Sequence, residues 1–171
     1  MRELSVTELN LEPTRTIAKD WMLLTAGSME NGFNTMTCSW GHIGSIWGTG
    51  GGWPTAICYV RPQRYTKEFM DREEYYTLSF FDAKYKEKLA YLGTRSGKEE
   101  DKVSKAGLTP AFEDGFTFFK EASLVLVCRK LYQAPLKEEC FVDQSIVKQH
   151  YPQKDFHDLY IGQIVKAYIA E

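Results

Sequence analysis

Several things are scarce in this chain, and each scarcity removes a class of protein. No apolar run approaches the ~18 residues that a membrane-crossing helix needs. Nothing in Met1–Asp20 forms the continuous apolar core of a secretory signal, so the expected compartment is the cytoplasm. Cysteine is sparse: Cys38, Cys58, Cys128 and Cys140 show no Cys-x-x-Cys spacing. His42, His150 and His157 do not stand at zinc-site intervals from them. Reduced, partly buried thiols and no metal site are therefore expected. An excess of one charge is also missing, since 21 Lys+Arg meet 23 Asp+Glu. A chain so balanced has no global attraction for nucleic acid or an anionic membrane, and any anion it binds must be held by a local cluster. Repeats, low-complexity tracts and linkers are absent, and 171 residues suit one domain, 1–171, with a core that needs no staples.

What the chain does have is aromatic side chains: 10 Phe, 10 Tyr and 4 Trp. They suit aromatic strand faces and cores, or a flat ring ligand. The apolar pattern is short and strand-like. Strands are expected at Trp21–Thr25, Phe33–Trp40, Thr55–Arg61, Tyr75–Phe81, Ser123–Tyr132 and Leu159–Ile169, the last with a bulge or close contact at Gly162. Short helices are expected at Thr66–Phe69, with Thr66 as cap, at Lys84–Leu92 ahead of Gly93, and at Glu99–Ala106 ahead of Gly107. Helices so few, and not alternating with strands, argue against a doubly wound sheet. The pattern fits a mainly antiparallel β-barrel with short helices covering its ends.

Chemistry has four places to sit. In Asn34-Thr35-Met36-Thr37-Cys38-Ser39-Trp40, strand alternation turns Thr35, Thr37 and Ser39 one way and Asn34, Met36, Cys38 and Trp40 the other. The hydroxyl face is either a solvated row or a set of small donors and acceptors along a polar ring. Arg61-Pro62-Gln63-Arg64-Tyr65-Thr66 ends a strand at Pro62 and opens a helical turn at Thr66. Its two arginines suit a phosphate, or stand solvated at a strand end. The glycine run Gly48–Gly52 spells neither phosphate-loop nor dinucleotide fingerprint and reads as a flexible loop, a candidate lid. His157 opens a strand at a barrel rim, as a surface residue or a catalytic one. Cys38 has no His or Asp near it in sequence, which favours a buried thiol over a nucleophile.

Taken in order, these segments resemble the flavin reductase-like family of FMN-binding split barrels, which includes the flavoredoxins. The resemblance runs from Asn34-Thr35-Met36-Thr37 and Ser39-Trp40-Gly41 through Arg61–Thr66 to Thr77-Leu78-Ser79-Phe80-Phe81. It continues with Leu92–Gly97, Asp101-Lys102 and Gly107–Pro110, and closes with His157 and Tyr160-Ile161-Gly162. It covers roughly residues 20–169.

The resemblance implies a six-stranded antiparallel split barrel with Greek-key connections and short peripheral helices. It implies a homodimer with FMN near the subunit interface. Asn34, Thr35, Met36, Thr37, Cys38, Ser39 and Trp40 would lie along the isoalloxazine, and Arg61, Arg64, Tyr65 and Thr66 would serve the phosphate end. Phe80 joins this set, and Thr94, Ser96, Gly97 and Lys102 would close over the flavin. His157 would approach the ring or the nicotinamide as the catalytic residue. Cys38 departs from the family, which often carries Ala there.

The expected activity is an FMN-dependent oxidoreductase taking hydride from NAD(P)H and passing electrons to a flavin or other acceptor. Two alternatives are an FMN electron carrier without its own nicotinamide site and a barrel that binds another planar molecule. In the flavin readings the cofactor carries the hydride chemistry, and no side chain must act as acid or base in that step.

Overall fold

Period-two alternation sorts the strand residues onto two faces of one sheet. In β2 (Met22–Ser28), Met22, Leu24 and Ala26 join one apolar layer while Leu23 joins the other. In β6 (Tyr75–Phe80), Tyr76, Leu78 and Phe80 face the first layer. In β9 (Leu124–Pro135), Leu124, Leu126 and Cys128 face that layer, and Val125 and Val127 face the second. Both faces are covered, so the strands read as dense apolar runs. The computed structural model describes all residues 1–171.

Every pairing in the main sheet is antiparallel. The remaining strands are β1 (Arg2–Leu4), β3 (Gly32–Cys38), β4 (Gly41–Ile46), β5 (Trp53–Val60) and β10 (Asp158–Ile169). The order is β3-β2-β6-β9-β10-β5-β4, and β1 adds to the far end of β10. A separate hairpin joins β7 (Pro110–Glu113) to β8 (Phe116–Phe119).

All six expected strands are present, and the count is corrected upward to an eight-stranded sheet plus a hairpin. The extra strands are short or, in β4, glycine-bearing and exposed, so they carry little apolar alternation. Gly48–Gly52, expected as a flexible loop and candidate lid, forms the turn of the β4–β5 hairpin, where the Trp53 amide donates to the Trp47 carbonyl at 2.8 Å. Gly162 does mark a register shift between β10 and β9. A Cβ there would stand 2.5 Å from the Tyr76 hydroxyl oxygen, which donates to the Ala56 carbonyl at 3.0 Å.

The helices are short and hold the edges. After α1 (Pro13–Arg15) come α2 (Thr66–Arg72), α3 (Lys86–Thr94), α4 (Lys102–Ala106) and α5 (Gln144–His150). In α2, Phe69 and Met70 pack into the first apolar layer. Thr66 lies inside that helix and does not cap it; its hydroxyl accepts instead from Asn34. Gly93 lies within α3, not beyond it, because a Cβ there would stand 3.2 Å from Thr37 Cβ. The glycine lets α3 lie close on β3. In α4 the expectation of a glycine stop holds: Asp101 accepts from the Ser104 amide at the start, and Gly107 closes the end at φ 62°.

A ladder of threonines crosses the second face. Thr25 pairs in register with both Thr35 and Thr77. Its hydroxyl donates to Thr35 Oγ1 at 2.8 Å, and Thr35 donates to the Leu24 carbonyl at 3.2 Å. Thr77 donates to the Thr117 carbonyl, and Thr117 to the Gly27 carbonyl at 2.9 Å, which ties the β8 hairpin to the sheet. Thr35→Val removes the acceptor of a fully buried hydroxyl. It should cost about 1–3 kcal/mol in urea denaturation. A loss below about 0.5 kcal/mol would show that the ladder does not stabilise the sheet.

Candidate functional site

The end of β3, the end of β5 and the start of β10 meet around a cleft. Its first arm, about 170 Å³, is lined by Met36, Thr37, Cys38, Ser39, Trp40, Tyr59, Arg61, Arg64 and His157. Its second arm, about 190 Å³, is lined by Asn34, Met36, Gln63, Arg64, Tyr65, Thr66, Thr94, Arg95, Ser96, Gly97, Glu99 and Lys102. Met36 and Arg64 belong to both arms, so the two are continuous. The cleft thus gathers segments that stand far apart in sequence.

Two of the expected residues are not in it. Thr35 is fully buried in the threonine ladder. Phe80 is buried in the first apolar layer, paired in register with Leu124. The expected hydroxyl row is corrected with them. Alternation along β3 is as expected, but the hydroxyl row is split: Thr35 is spent in the buried ladder, whereas Thr37, which donates to the Leu89 carbonyl of α3, and the exposed Ser39 both line the cleft. Asn34, Met36 and Cys38, on the other side, are buried and also line the cleft. Alternation reveals that two faces exist, and only tertiary packing decides which residues of each reach the cleft.

The two arginines have different fates. Arg61 pairs with Asp155, donates to the His150 carbonyl at 2.9 Å, and lies over the Tyr151 ring at 5.1 Å. Its charge is spent within the protein. Arg64 is exposed, donates only to the Gly93 carbonyl at 3.1 Å, and has no carboxylate partner. Lys102 is buried, donates to the carbonyls of Leu92 and Arg95 at 3.1 and 2.8 Å, and also lacks a carboxylate. Burial, helped by the positive charge of Arg64, pushes Lys102 down to about 8. Two unpaired cations thus share one arm with the hydroxyl-bearing Thr66, Thr94 and Ser96, while Glu99 stands exposed at its edge. That donor set favours an anion.

Close packing shapes the same arm. Asn34 Nδ2 donates to Thr66 Oγ1 at 2.8 Å, joining β3 to α2. A Cβ at Gly97 would stand 2.2 Å from Asn34 Oδ1. Glycine there lets the segment after α3 press against β3 and keeps this wall narrow.

The other arm has a different character. Met36 and Cys38 form an apolar wall, and Trp40 closes it. Burial pushes the Cys38 thiol up to about 12, so it packs rather than acts as a nucleophile. His157 is buried, with its ring 5.1 Å from that of Trp40. Its Nδ1 is 2.8 Å from the Tyr151 hydroxyl. Burial first, and the positive charge of Arg61 second, hold the imidazole down at about 4, so it is neutral at physiological pH.

Tyr59, Gln63 and Arg95 also line the cleft, and Tyr151 and Asp155 brace it from behind. Sequence reasoning had Gln63 and Arg95 inside segments assigned to the site without singling them out, and it missed Tyr59, Tyr151 and Asp155. Tyr59 was within reach, because alternation sets it opposite the buried Cys58. Tyr151 and Asp155 carried no local signal.

Comparison with known proteins assigns the chain to a family. The model of the flavin reductase like domain matches residues 14–171. No curated protein matches the chain in sequence. Among solved structures, an FMN-binding domain of a flavin reductases-like enzyme from Shewanella baltica superposes with a TM-score of 0.66 at 14% identity, over 98% of this chain and 76% of that one. Flavoredoxin from Desulfovibrio vulgaris gives 0.65 at 19%, over 95% and 77%. The styrene monooxygenase flavin reductase from Pseudomonas putida gives 0.62 at 16%, over 89% and 80%. At such identities the structural matches speak for the fold, a mainly β split barrel. The family match reaches from α1 to the end of β10, across every segment that lines the cleft, and the chain belongs to the flavin reductase-like domain family.

Proposed function

We propose that this chain is an FMN-dependent oxidoreductase of the flavin reductase type, which takes hydride from NAD(P)H and passes electrons to a flavin or another acceptor. The observation that carries the reading is the polarity of the cleft. One arm sets the Met36, Cys38, Trp40 and Tyr59 side chains beside polar groups that include Ser39 and His157; the other holds Lys102, and Arg64 stands where the two meet, both cations without carboxylate partners. A flat ring with an anionic tail has the same division, and FMN fits it. When bound, FMN supplies the two-electron chemistry that amino-acid side chains lack.

The chain's own residues bind and orient. Arg64 and Lys102, with the hydroxyls of Thr66, Thr94 and Ser96, hold the phosphate, and the Gly97 backbone closes against Asn34. Met36, Cys38, Ser39 and Trp40 lie along the ring, and Tyr65 borders the tail. His157 faces the ring as a neutral imidazole. The working form is a homodimer, and the exposed Ile46, Trp47 and Trp53 on the β4–β5 hairpin support a surface that a second copy would cover. No helix is long and apolar enough to cross a membrane.

Anaerobic titration of the FMN-loaded protein with NADH and NADPH tests the reading. Bleaching of the flavin absorbance by either nucleotide is the expected result. Bleaching only by dithionite or a protein partner would instead assign an electron carrier. A protein that ignores added FMN would sink both.

A further inference from the structure

A second cavity, about 570 Å³, lies against the first arm of the cleft and shares Ser39, Trp40 and Tyr59 with it. We propose that this cavity is a binding site for a neutral aromatic molecule of one or two rings that carries a hydroxyl or carbonyl group. Its volume falls in the range of small-molecule sites, about 300–1,000 Å³.

The lining states the chemistry. Trp40, Tyr59 and Tyr151 supply rings, and Pro13, Ile17 and Leu136 supply aliphatic surface. No Lys, Arg, Asp or Glu lines it. That separates it sharply from the cationic arm of the cleft: a charged group taken into this cavity would lose its hydration with no counter-charge to meet. The diphosphate of a dinucleotide is excluded on the same ground. Rings packed against such walls gain from stacking as well as from burial. One polar group is poised for orientation: the Tyr59 hydroxyl lies 3.3 Å from His42 Nδ1 and keeps hydrogen-bonding capacity for a ligand oxygen.

The cavity has a buried floor and an open rim, where Thr14, Ala18, Ser39, Trp40 and His42 are exposed. Ile17 and Tyr151, which line it, are only 4% and 3% exposed. The exposed apolar side chains of the β4–β5 hairpin, Ile46, Trp47 and Trp53, lie outside its lining. A small molecule therefore suits it better than a second copy of the chain. A ligand seated here adjoins the cleft assigned to the flavin across Ser39, Trp40 and Tyr59, which line both. Its service as a substrate of the oxidoreductase rests on the reading above, whereas its binding does not.

The probes are 2-naphthol, neutral at pH 7, and 2-naphthalenesulfonate, which has the same rings and a negative charge. Binding is followed by fluorescence and by calorimetry on both FMN-free and FMN-loaded protein. We expect one 2-naphthol per chain, the sulfonate weaker by about tenfold or more, and no displacement by FMN. Ala18→Trp, at an exposed position in the cavity lining, should weaken 2-naphthol by about tenfold and leave FMN affinity within about twofold. Thr14→Trp, also exposed in the lining, serves if the first variant misfolds. Equal binding of the two probes overturns the proposal, as does displacement of 2-naphthol by FMN or indifference to both tryptophans. So does sedimentation in which either tryptophan splits a dimer, for a second copy would then fill the recess. If FMN fails to bind at all, the oxidoreductase reading falls while the naphthol result still decides the cavity.

Discussion

Arg64→Ala should weaken FMN about ten- to a hundredfold while changing riboflavin less than about threefold, because only FMN carries the phosphate. The size follows from about 1.5–3 kcal/mol for a hydrogen bond to a charged group. Arg61→Ala is the informative contrast. Its guanidinium is occupied by Asp155, the His150 carbonyl and the Tyr151 ring, so the variant should lose about 2 kcal/mol of stability. It should affect FMN and riboflavin alike. Fluorescence titration with both ligands, beside urea denaturation of both variants, separates the two roles. A selective loss of FMN in Arg61→Ala and none in Arg64→Ala would reverse the assignment. Lys102 adds a pH signature. With its amine held down at about 8, the grip on phosphate should fade as pH rises through that value, and the preference for FMN over riboflavin should narrow with it.

Acid should destabilise the protein through His157. The imidazole sits at about 4 when folded, against an ordinary value of about 6.5. Between those values the unfolded chain binds a proton that the folded chain does not, so stability falls as pH is lowered from about 6.5 to about 4. The whole displacement corresponds to at most about 3 kcal/mol before solvent screening. Burial is its main cause; among the charged groups on the packed elements, Arg61 and Arg64 press the imidazole further down, while Asp155 and Asp158 partly oppose them. Asp155, itself held below the usual carboxylate range by Gln63 and Arg61, loses its contribution only at lower pH. Urea denaturation of wild type and His157→Gln at pH 7 and pH 4.5 isolates the imidazole: the wild type should lose more. Equal losses would mean that His157 is not held neutral by burial.

The same histidine bears on catalysis. A neutral His157 implies no ionisation near pH 6.5 in the rate of reduction by nicotinamide. His157→Ala should slow that reduction and leave FMN bound. Reduction at the wild-type rate would make the residue structural.

How much could be read in advance differs from element to element. The six main strands followed from alternating apolar runs, because a half-buried or fully buried strand must place side chains every second residue on a packed face. The αL stop at Gly107 and the close contact at Gly162 followed from what a missing Cβ permits. β4 escaped, since an exposed edge strand with two glycines buries too little to leave a pattern.

For the site, local rules placed Asn34, Met36, Cys38, Trp40, Arg64 and His157 in segments worth suspecting. They could not say which arginine was free, because Asp155 and Tyr151, which occupy Arg61, arrive from about ninety residues downstream. Nor could they tell which hydroxyls of β3 are packed away and which reach the cleft. Pattern along a chain is set by each residue's own geometry and by its near neighbours, and that much the amino acids dictated unaided. Which charge is neutralised, which hydroxyl is consumed and which histidine is dried out depend on partners brought together from distant segments. Those were decided only when α3 closed on β3 and the α5–β10 loop closed on Arg61.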